Sequence, residues 1–343
     1  MKYKAAVIGL GQIGFKIDLD SSRRIIWSHV KAYDNTKNID LIAVSEINKD
    51  NILTFKKYYP KVKVYEDYID LLEKNKIDII SICTPTKTHL KIIEKILKIR
   101  RPKVIFCEKP VGRDYEECEE IIKLCTKYNV ILSTNYMRRW DARFIQISQI
   151  IKDEKIGKLT SLSAYGTSAL LTSTSHLIDI LLMYGGYSID WLIGELQQDY
   201  VRTAHGEKDP GGNAFVKFSN GSFGYLKGSS TNSSNYMFEI DLLFSQGRIT
   251  IADDAREISI WEFSDKETST GTGYKTLVKS NEIKIHSENE RMLAAIENLI
   301  DSIEKNSSPL SNGLNALEVH KFINGIKISN KNSKKINYID IYA

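Results

Sequence analysis

An apolar run, Ala5 to Ile8, leads directly into Gly9, Gly11 and Gly14 in the order G-x-G-x-x-G, enclosing Gln12 and Ile13. Glycines at this spacing can cradle a pyrophosphate. The first allows a tight strand-to-helix turn, the second lets the backbone approach the anion, and the third lets helix and strand pack closely, with a helix N-terminus facing the charge. A second apolar run, Ile39 to Val44, ends near Glu46, whose carboxylate could accept hydrogen bonds from ribose hydroxyls. Gly14 and Glu46 stand further apart than the usual interval of about 20 residues. An insertion around Asp18 to Trp27, carrying DLDSSRR, accounts for the excess and lies where a longer loop would overhang a bound nucleotide. Further on, the run Val104 to Cys107 meets Glu108-Lys109-Pro110, a charged pair and a proline at the end of a strand, where open α/β sheets bind ligands. Cys83, Cys107, Cys118 and Cys125 show neither C-x-x-C pairing nor metal-type spacing with histidine, so they read as reduced thiols and no metal site is expected.

These residues need a scaffold, and the chain is long enough for two. At 343 residues and 42% apolar, it can bury two cores. From residue 1 to about 133, strand-length apolar runs (Ala5–Ile8, Leu41–Val44, Ile79–Cys83, Val104–Cys107, Val130–Leu132) alternate with helix-like periodicity at 68–74, 89–97 and 115–128. That alternation is the signature of a parallel sheet covered by helices, here a Rossmann dinucleotide-binding domain. Residues 134–343 form the second domain, of α+β class with a mainly antiparallel open sheet. It carries runs at 215–218, 223–226, 238–244, 248–251 and 258–263, and helical patterns at 175–184 and 290–303. Asn220-Gly221 between the first two runs predicts a hairpin with a type I′ turn, which needs positive φ at both residues. The segment 203–212 reads as a pocket-lining loop. The 48 basic and 43 acidic residues give a net charge of +5 without blocks of like sign, so no nucleic-acid partner is expected. No run approaches the roughly 20 apolar residues of a membrane span, and a cytoplasmic protein is expected.

Taken together, Glu108-Lys109-Pro110, Cys83-Thr84-Pro85 with His89, Arg138-Arg139-Trp140, Ile156-Gly157-Lys158, Ser175-His176-Leu177-Ile178-Asp179 and the Phe218–Gly221 hairpin resemble the glucose-fructose oxidoreductase, inositol dehydrogenase and rhizopine-catabolism (Gfo/Idh/MocA) family over nearly the whole chain. The resemblance implies that Lys109 lies near the nicotinamide ring and the substrate hydroxyl. A partly desolvated lysine beside a cationic cofactor loses proton affinity and stabilises a developing alkoxide. It implies that His176 is a general acid-base residue, with Asp179 either orienting it or pairing structurally. By the same resemblance Thr84, Pro85 and His89 line the cofactor, a helix-capping role for His89 being equally open, and Glu108, beside Lys109, either contacts the cofactor or only orders that turn. One position departs: Thr172 stands where many members carry Asp or Asn, and threonine cannot ionise to stabilise an imidazolium.

Glu46 argues for NAD, because a carboxylate repels a 2′-phosphate, with NADP kept open by Arg23 and Arg24. The expected function is an NAD-dependent oxidoreductase acting on a secondary alcohol or ketone of a sugar or nucleotide sugar. The nucleotide sugar is slightly favoured by Arg138, Arg139 and Arg143, of which Arg138, with Thr172 and Asp179, is a candidate substrate contact. The alternatives are a non-catalytic dinucleotide-binding regulator and a reductase of small keto or imino acids. The resemblance also implies a homodimer or homotetramer.

Overall fold

The computed structural model describes residues 2–342 apart from 205–206, 231–234, 265–273, 281 and 286–289. The chain divides into two compact units, Met1–Asp141 with Asn289–Leu317, and Ala142–Glu288 with Glu318–Ala343.

The first unit is built on six parallel strands: β1 (Tyr3–Ile8), β2 (Ile39–Ser45), β3 (Lys63–Tyr65), β4 (Ile79–Ile82), β5 (Val104–Cys107) and β6 (Ile131–Thr134), in the order β3-β2-β1-β4-β5-β6. This is the doubly wound order of dinucleotide-binding folds, whose switch point lies between β1 and β4. The central strands β4 and β5 are short and buried throughout because helices cover both faces. Those helices are α1 (His29–Asp34), α2 (Lys49–Tyr58), α3 (Tyr68–Lys74), α4 (His89–Ile99) and α5 (Tyr115–Lys127). Most start at a side-chain cap: Ser28, Asn48, Asp67 and Asp114 each accept from amides of the first turn.

The boundary expected near residue 133 is displaced, and one helix changes owner. Helix α8 (Arg291–Lys305) belongs to the first unit, where Met292, Ala295, Ile296, Leu299 and Ile300 join Val7, Val30, Phe106 and Trp140 in one core. Its apolar stripe was readable as helix. Which sheet it would cover was not, because residues 142–288 intervene before the chain returns. Two polar anchors fix it: Trp140 Nε1 donates to Asn298 Oδ1 at 2.9 Å, and Arg291 Nε to Asp141 Oδ2 at 2.7 Å, both members of the latter pair being buried.

The second unit holds α6 (Ala142–Lys152), α7 (Thr174–Gly185), most of α9 (Gly313–Asn332) and nine described strands. In chain order these are β7 (Leu159–Gly166), β8 (Ile189–Ala204), β9 (Glu207–Phe218), β10 (Phe223–Gly228), β11 (Phe238–Phe244), β12 (Gly247–Ala252), β13 (Glu257–Ser264), β14 (Thr276–Lys279) and β15 (Ile336–Asn337). They run side by side as β14-β13-β12-β11-β7-β10-β9-β8-β15, antiparallel except for β7 beside β10. Of residues 203–212, expected as a loop, 203–204 and 207–212 instead continue β8 and β9, with Val201 opposite Pro210 and Thr203 opposite Lys208, while 205–206 lie outside the described residues. The hairpin at 219–221 is present, but only Gly221 has positive φ, +94°, while Phe218 N donates to Ser222 O. It is therefore a three-residue loop closed by a left-handed glycine rather than a type I′ turn. One face of the sheet packs on α7; the other shows Phe215, Phe223, Tyr225 and Leu243 to solvent. Among the described residues no helix is long and apolar enough to cross a membrane.

Candidate cofactor and catalytic site

The glycine-rich loop follows β1 as expected, but the helix it should open is interrupted. After Gly11 one helical turn forms, with Phe15 N donating to Gly11 O and Ile17 N to Gln12 O, and the chain then leaves through residues 18–28. At α1 it returns in register: His29 N donates to Ile13 O at 3.1 Å and Val30 N to Gly14 O at 3.0 Å. In an unbroken helix each carbonyl meets the amide four residues on; here both meet the sixteenth, so twelve residues are spliced in. Subtracting them brings Glu46 to the spacing of about 20 residues after Gly14 that the fold ordinarily shows. The excursion is pinned at its base, where Asp18 accepts from the amides of Trp27 and Ser28 and Glu290 from that of Ile26.

The three glycines differ in what demands them. A Cβ on Gly9, whose φ is +96°, would lie 2.8 Å from Cys83 O, and one on Gly14 would lie 2.1 Å from Gly9 O, so the fold itself needs both. At Gly11 a Cβ would meet nothing within 4 Å, and φ is ordinary. Only a partner outside the chain gives that position a reason to lack a side chain.

Glu46 is placed differently from the expectation of a free ribose acceptor. Its Oε2 accepts from Leu10 N at 2.7 Å and Asn51 Nδ2 at 3.3 Å, and its Oε1 from Ile47 N and Asn48 N at 2.8 and 2.9 Å. The carboxylate fastens β2 to the glycine loop. Two further expected contacts are also internal. His89 is fully buried, with Nε2 2.8 Å from Thr84 O and Nδ1 3.1 Å from Val111 O. It ties the Thr84–Pro85 turn to the one after Lys109 and has no surface left for a cofactor; burial lowers its pKa against the pull of those carbonyls. Thr84 is half-buried, with its hydroxyl 2.7 Å from that of Thr88, and Pro85 is exposed.

Glu108 is buried beneath the end of β5. His29 Nε2 lies 2.9 Å and Asn135 Nδ2 2.6 Å from its Oε1, and Lys109 N 3.3 Å from its Oε2. Burial alone would push this carboxyl up, but the His29 hydrogen bond and charge, the Asn135 bond and the neighbouring Lys109 charge outweigh it and hold the pKa below the ordinary value. Behind His29, Nδ1 meets Ser81 Oγ at 2.8 Å, and Ser81 Oγ meets the Tyr33 hydroxyl at 2.7 Å. Lys109 itself is half-buried and precedes a cis peptide to Pro110. Sequence reading missed His29, Ser81 and Asn135. The signal was present: without the twelve spliced residues, His29 stands three positions after Gly14.

In the second unit His176 sits half-buried on the first turn of α7, and Asp179 is buried one turn on. Thr172 donates to Ala169 O at 3.0 Å and pairs with the Ser168 hydroxyl, so its side chain helps to close the turn before α7. The acidic residue beside that turn is Asp209 of β9, buried and accepting from Leu171 N at 2.9 Å. Arg138 and Arg139 are buried in the Met137–Trp140 turn, with Arg139 donating to Leu310 O, and Arg143 donates to Ala255 O at 2.9 Å. The four thiols are free, and burial raises the pKa of each, Cys125 to about 12, so none is a reactive thiolate at neutral pH.

A family described as an oxidoreductase family with an NAD-binding Rossmann fold, Gfo/Idh/MocA, matches residues 3–136. Myo-inositol 2-dehydrogenase of Thermotoga maritima is 26% identical over 298 residues, covering 79% of this chain and 81% of that protein. Residues 3–136 belong to the Gfo/Idh/MocA family. Two solved structures share the fold over nearly their full length. The WlbA dehydrogenase of Bordetella pertussis, in complex with NADH and UDP-GlcNAcA, has 16% identity, TM-score 0.77 and coverage of 98% and 99% of the two chains. Scyllo-inositol dehydrogenase of Lactobacillus casei, with NAD(H) and scyllo-inositol, has 19% identity, TM-score 0.73 and coverage of 99% and 100%. Membership of the Gfo/Idh/MocA family makes NAD the cofactor to test against the geometry. The residues fit it: Gly11 leaves the loop open on the side away from the protein, at the carboxyl edge of the sheet that also carries Lys109.

Proposed function

We propose that this NAD-binding oxidoreductase interconverts a secondary alcohol and a ketone on a free sugar or polyol ring. The observation that carries this reading is the open face above Gly11, on the same strand-end edge as the half-buried Lys109. When bound, the nicotinamide supplies the hydride acceptor or donor. The loop amides hold the pyrophosphate. Lys109 Nζ, as the neutral amine beside an oxidised ring, would take the hydroxyl proton in oxidation, and the ammonium so formed would return it in reduction, its shared proton stabilising the developing alkoxide. His176 is the second proton-handling group, and Asp179 lies on its helix one turn further. NAD is favoured over NADP because the anionic Glu46, buried at the end of β2, repels a 2′-phosphate. The preference for a nucleotide sugar lapses with its motive, since Arg138 and Arg139 are buried and Arg139 and Arg143 bond to backbone carbonyls. The inositol dehydrogenases among the relatives support a polyol.

A regulator that binds NAD without turning over is favoured by one observation, the use of Thr172 to close a turn. The deciding experiment offers NAD with inositols, free sugars and nucleotide sugars, and NADH with the corresponding ketones, while following the absorbance of the reduced nicotinamide. Turnover on a free ring is expected. Faster turnover of nucleotide conjugates would overturn the substrate class, and binding of NAD without turnover in either direction would favour the regulator.

We also propose that the solvent-facing side of the β8–β10 sheet closes a homo-oligomer. Phe215 stacks on Phe223 with centroids 5.4 Å apart, and Trp191 packs edge-on to Phe215 at 5.6 Å, an apolar patch of a kind that lone proteins seldom expose. Light scattering at micromolar concentration should give a multiple of the chain mass, and Phe215→Asp with Phe223→Lys should reduce it to one; a single-chain mass for the unaltered protein would refute the interface.

A further inference from the structure

His29 makes three attachments within the first unit. Its amide donates to Ile13 O of the glycine loop, its Nδ1 meets Ser81 on β4, and its Nε2 meets Glu108 at the end of β5. With an imidazole that carries its proton on Nε2, one direction of donation satisfies the chain of side chains: the Tyr33 hydroxyl to Ser81, the Ser81 hydroxyl to His29 Nδ1, and His29 Nε2–H to Glu108; a second proton on Nδ1 would turn that side toward Ser81 Oγ and leave the bond to Glu108 in place. The chain ends at Tyr33, which is fully buried, so it has no outlet to solvent and does not conduct protons. Its effect is on Glu108. A buried carboxylate must fill its acceptor positions. Without His29, Asn135 and the Lys109 amide would remain among the described donors, and the turn after β5 would lose its tie to α1.

We propose that His29 is a positioning residue which, through Glu108, ties the Lys109 turn to the pyrophosphate loop and so holds Lys109 in its place at the nicotinamide. The inference rests on the reading of Lys109 given above. It predicts that the loop spliced open by twelve residues still controls the turn on β5 through this one ring, because the splice ends at Ser28 and the helix resumes at His29.

The test needs no substrate. Dissociation constants for NAD⁺ and NADH are measured by calorimetry on the full chain, and their ratio is compared across variants. A lysine held near the nicotinamide disfavours its cationic form, so Lys109→Met should tighten NAD⁺ relative to NADH by roughly tenfold. His29→Leu should shift the ratio the same way, the double variant should shift it no further, and His29→Gln, which keeps a donor for Glu108, should restore it. Should His29→Leu fail to fold, His29→Asn keeps a polar contact to Ser81 but falls short of Glu108, and is expected to behave as the leucine does. A shift in Lys109→Met with none in the His29 variants would overturn the positioning role while leaving Lys109 in place. No shift in Lys109→Met would overturn the reading of Lys109 and this inference with it. An equal loss of both affinities in the His29 variants, with the ratio constant, would show a purely structural residue.

Discussion

Lys109→Met should lower kcat by about 10²- to 10⁴-fold, the usual worth of a positioned proton-transfer group. The substitution keeps the length of the side chain and removes its charge. Because the side chain is half-buried rather than packed in the core, the melting temperature should hold. NADH affinity should stay within about twofold, and NAD⁺ affinity should move by no more than the roughly tenfold charge effect. Lys109→Arg should not rescue turnover, because a guanidinium does not release its proton near neutral pH. Steady-state kinetics on the best substrate of the panel, with calorimetry of cofactor binding, separates these quantities. If kcat of the methionine variant stays within tenfold of the parent, Lys109 does not carry the proton.

The second large effect concerns stability. Asp141→Ala leaves the Arg291 guanidinium buried without the carboxylate at 2.7 Å from its Nε, a change that costs about 3–5 kcal/mol when one member of a buried pair is removed. Arg291 begins α8, the helix whose apolar stripe completes the core of the first unit, so that unit should loosen first. For a unit of this size the loss corresponds to a fall in melting temperature on the order of 10 °C. Replacing both partners, Asp141→Leu with Arg291→Met, should recover most of it, because neither member of this pair is then left buried as a lone charge. A calorimetric scan in which Asp141→Ala melts within 2 °C of the parent, taken here as roughly half a kcal/mol, would show that the pair contributes little.

Local signals carried much of the fold. Five of the six parallel strands were legible as short apolar runs, and α4 and α5 because their apolar residues recur at helical spacing; β3, three residues starting at an exposed lysine, was not. The ownership of α8 was not, since its stripe fits any apolar sheet. Nor was the extent of β8 and β9: the stretches 203–204 and 207–212 are polar and glycine-rich, and pairing across two long strands, rather than local propensity, keeps them extended. In the site, Gly9, Gly11, Gly14 and Lys109 were readable from spacing, whereas the inward turn of Glu46, Glu108 and His89 depends on backbone groups that no side-chain pattern encodes. His29 was hidden by the insertion, which moved it out of the window in which a loop residue would be sought.

That insertion leaves and rejoins a helix without disturbing its hydrogen-bond phase, and two carboxylates, Asp18 and Glu290, clamp its base. A segment mounted this way is modular. Closing a flexible loop of twice its length would cost only about 0.6 kcal/mol more, so evolution or an engineer can lengthen, shorten or exchange residues 19–25 while the nucleotide cradle on one side and the His29 helix on the other stay fixed. The first helix of this domain thus doubles as a mounting point, where new recognition can be added without renegotiating the old fold.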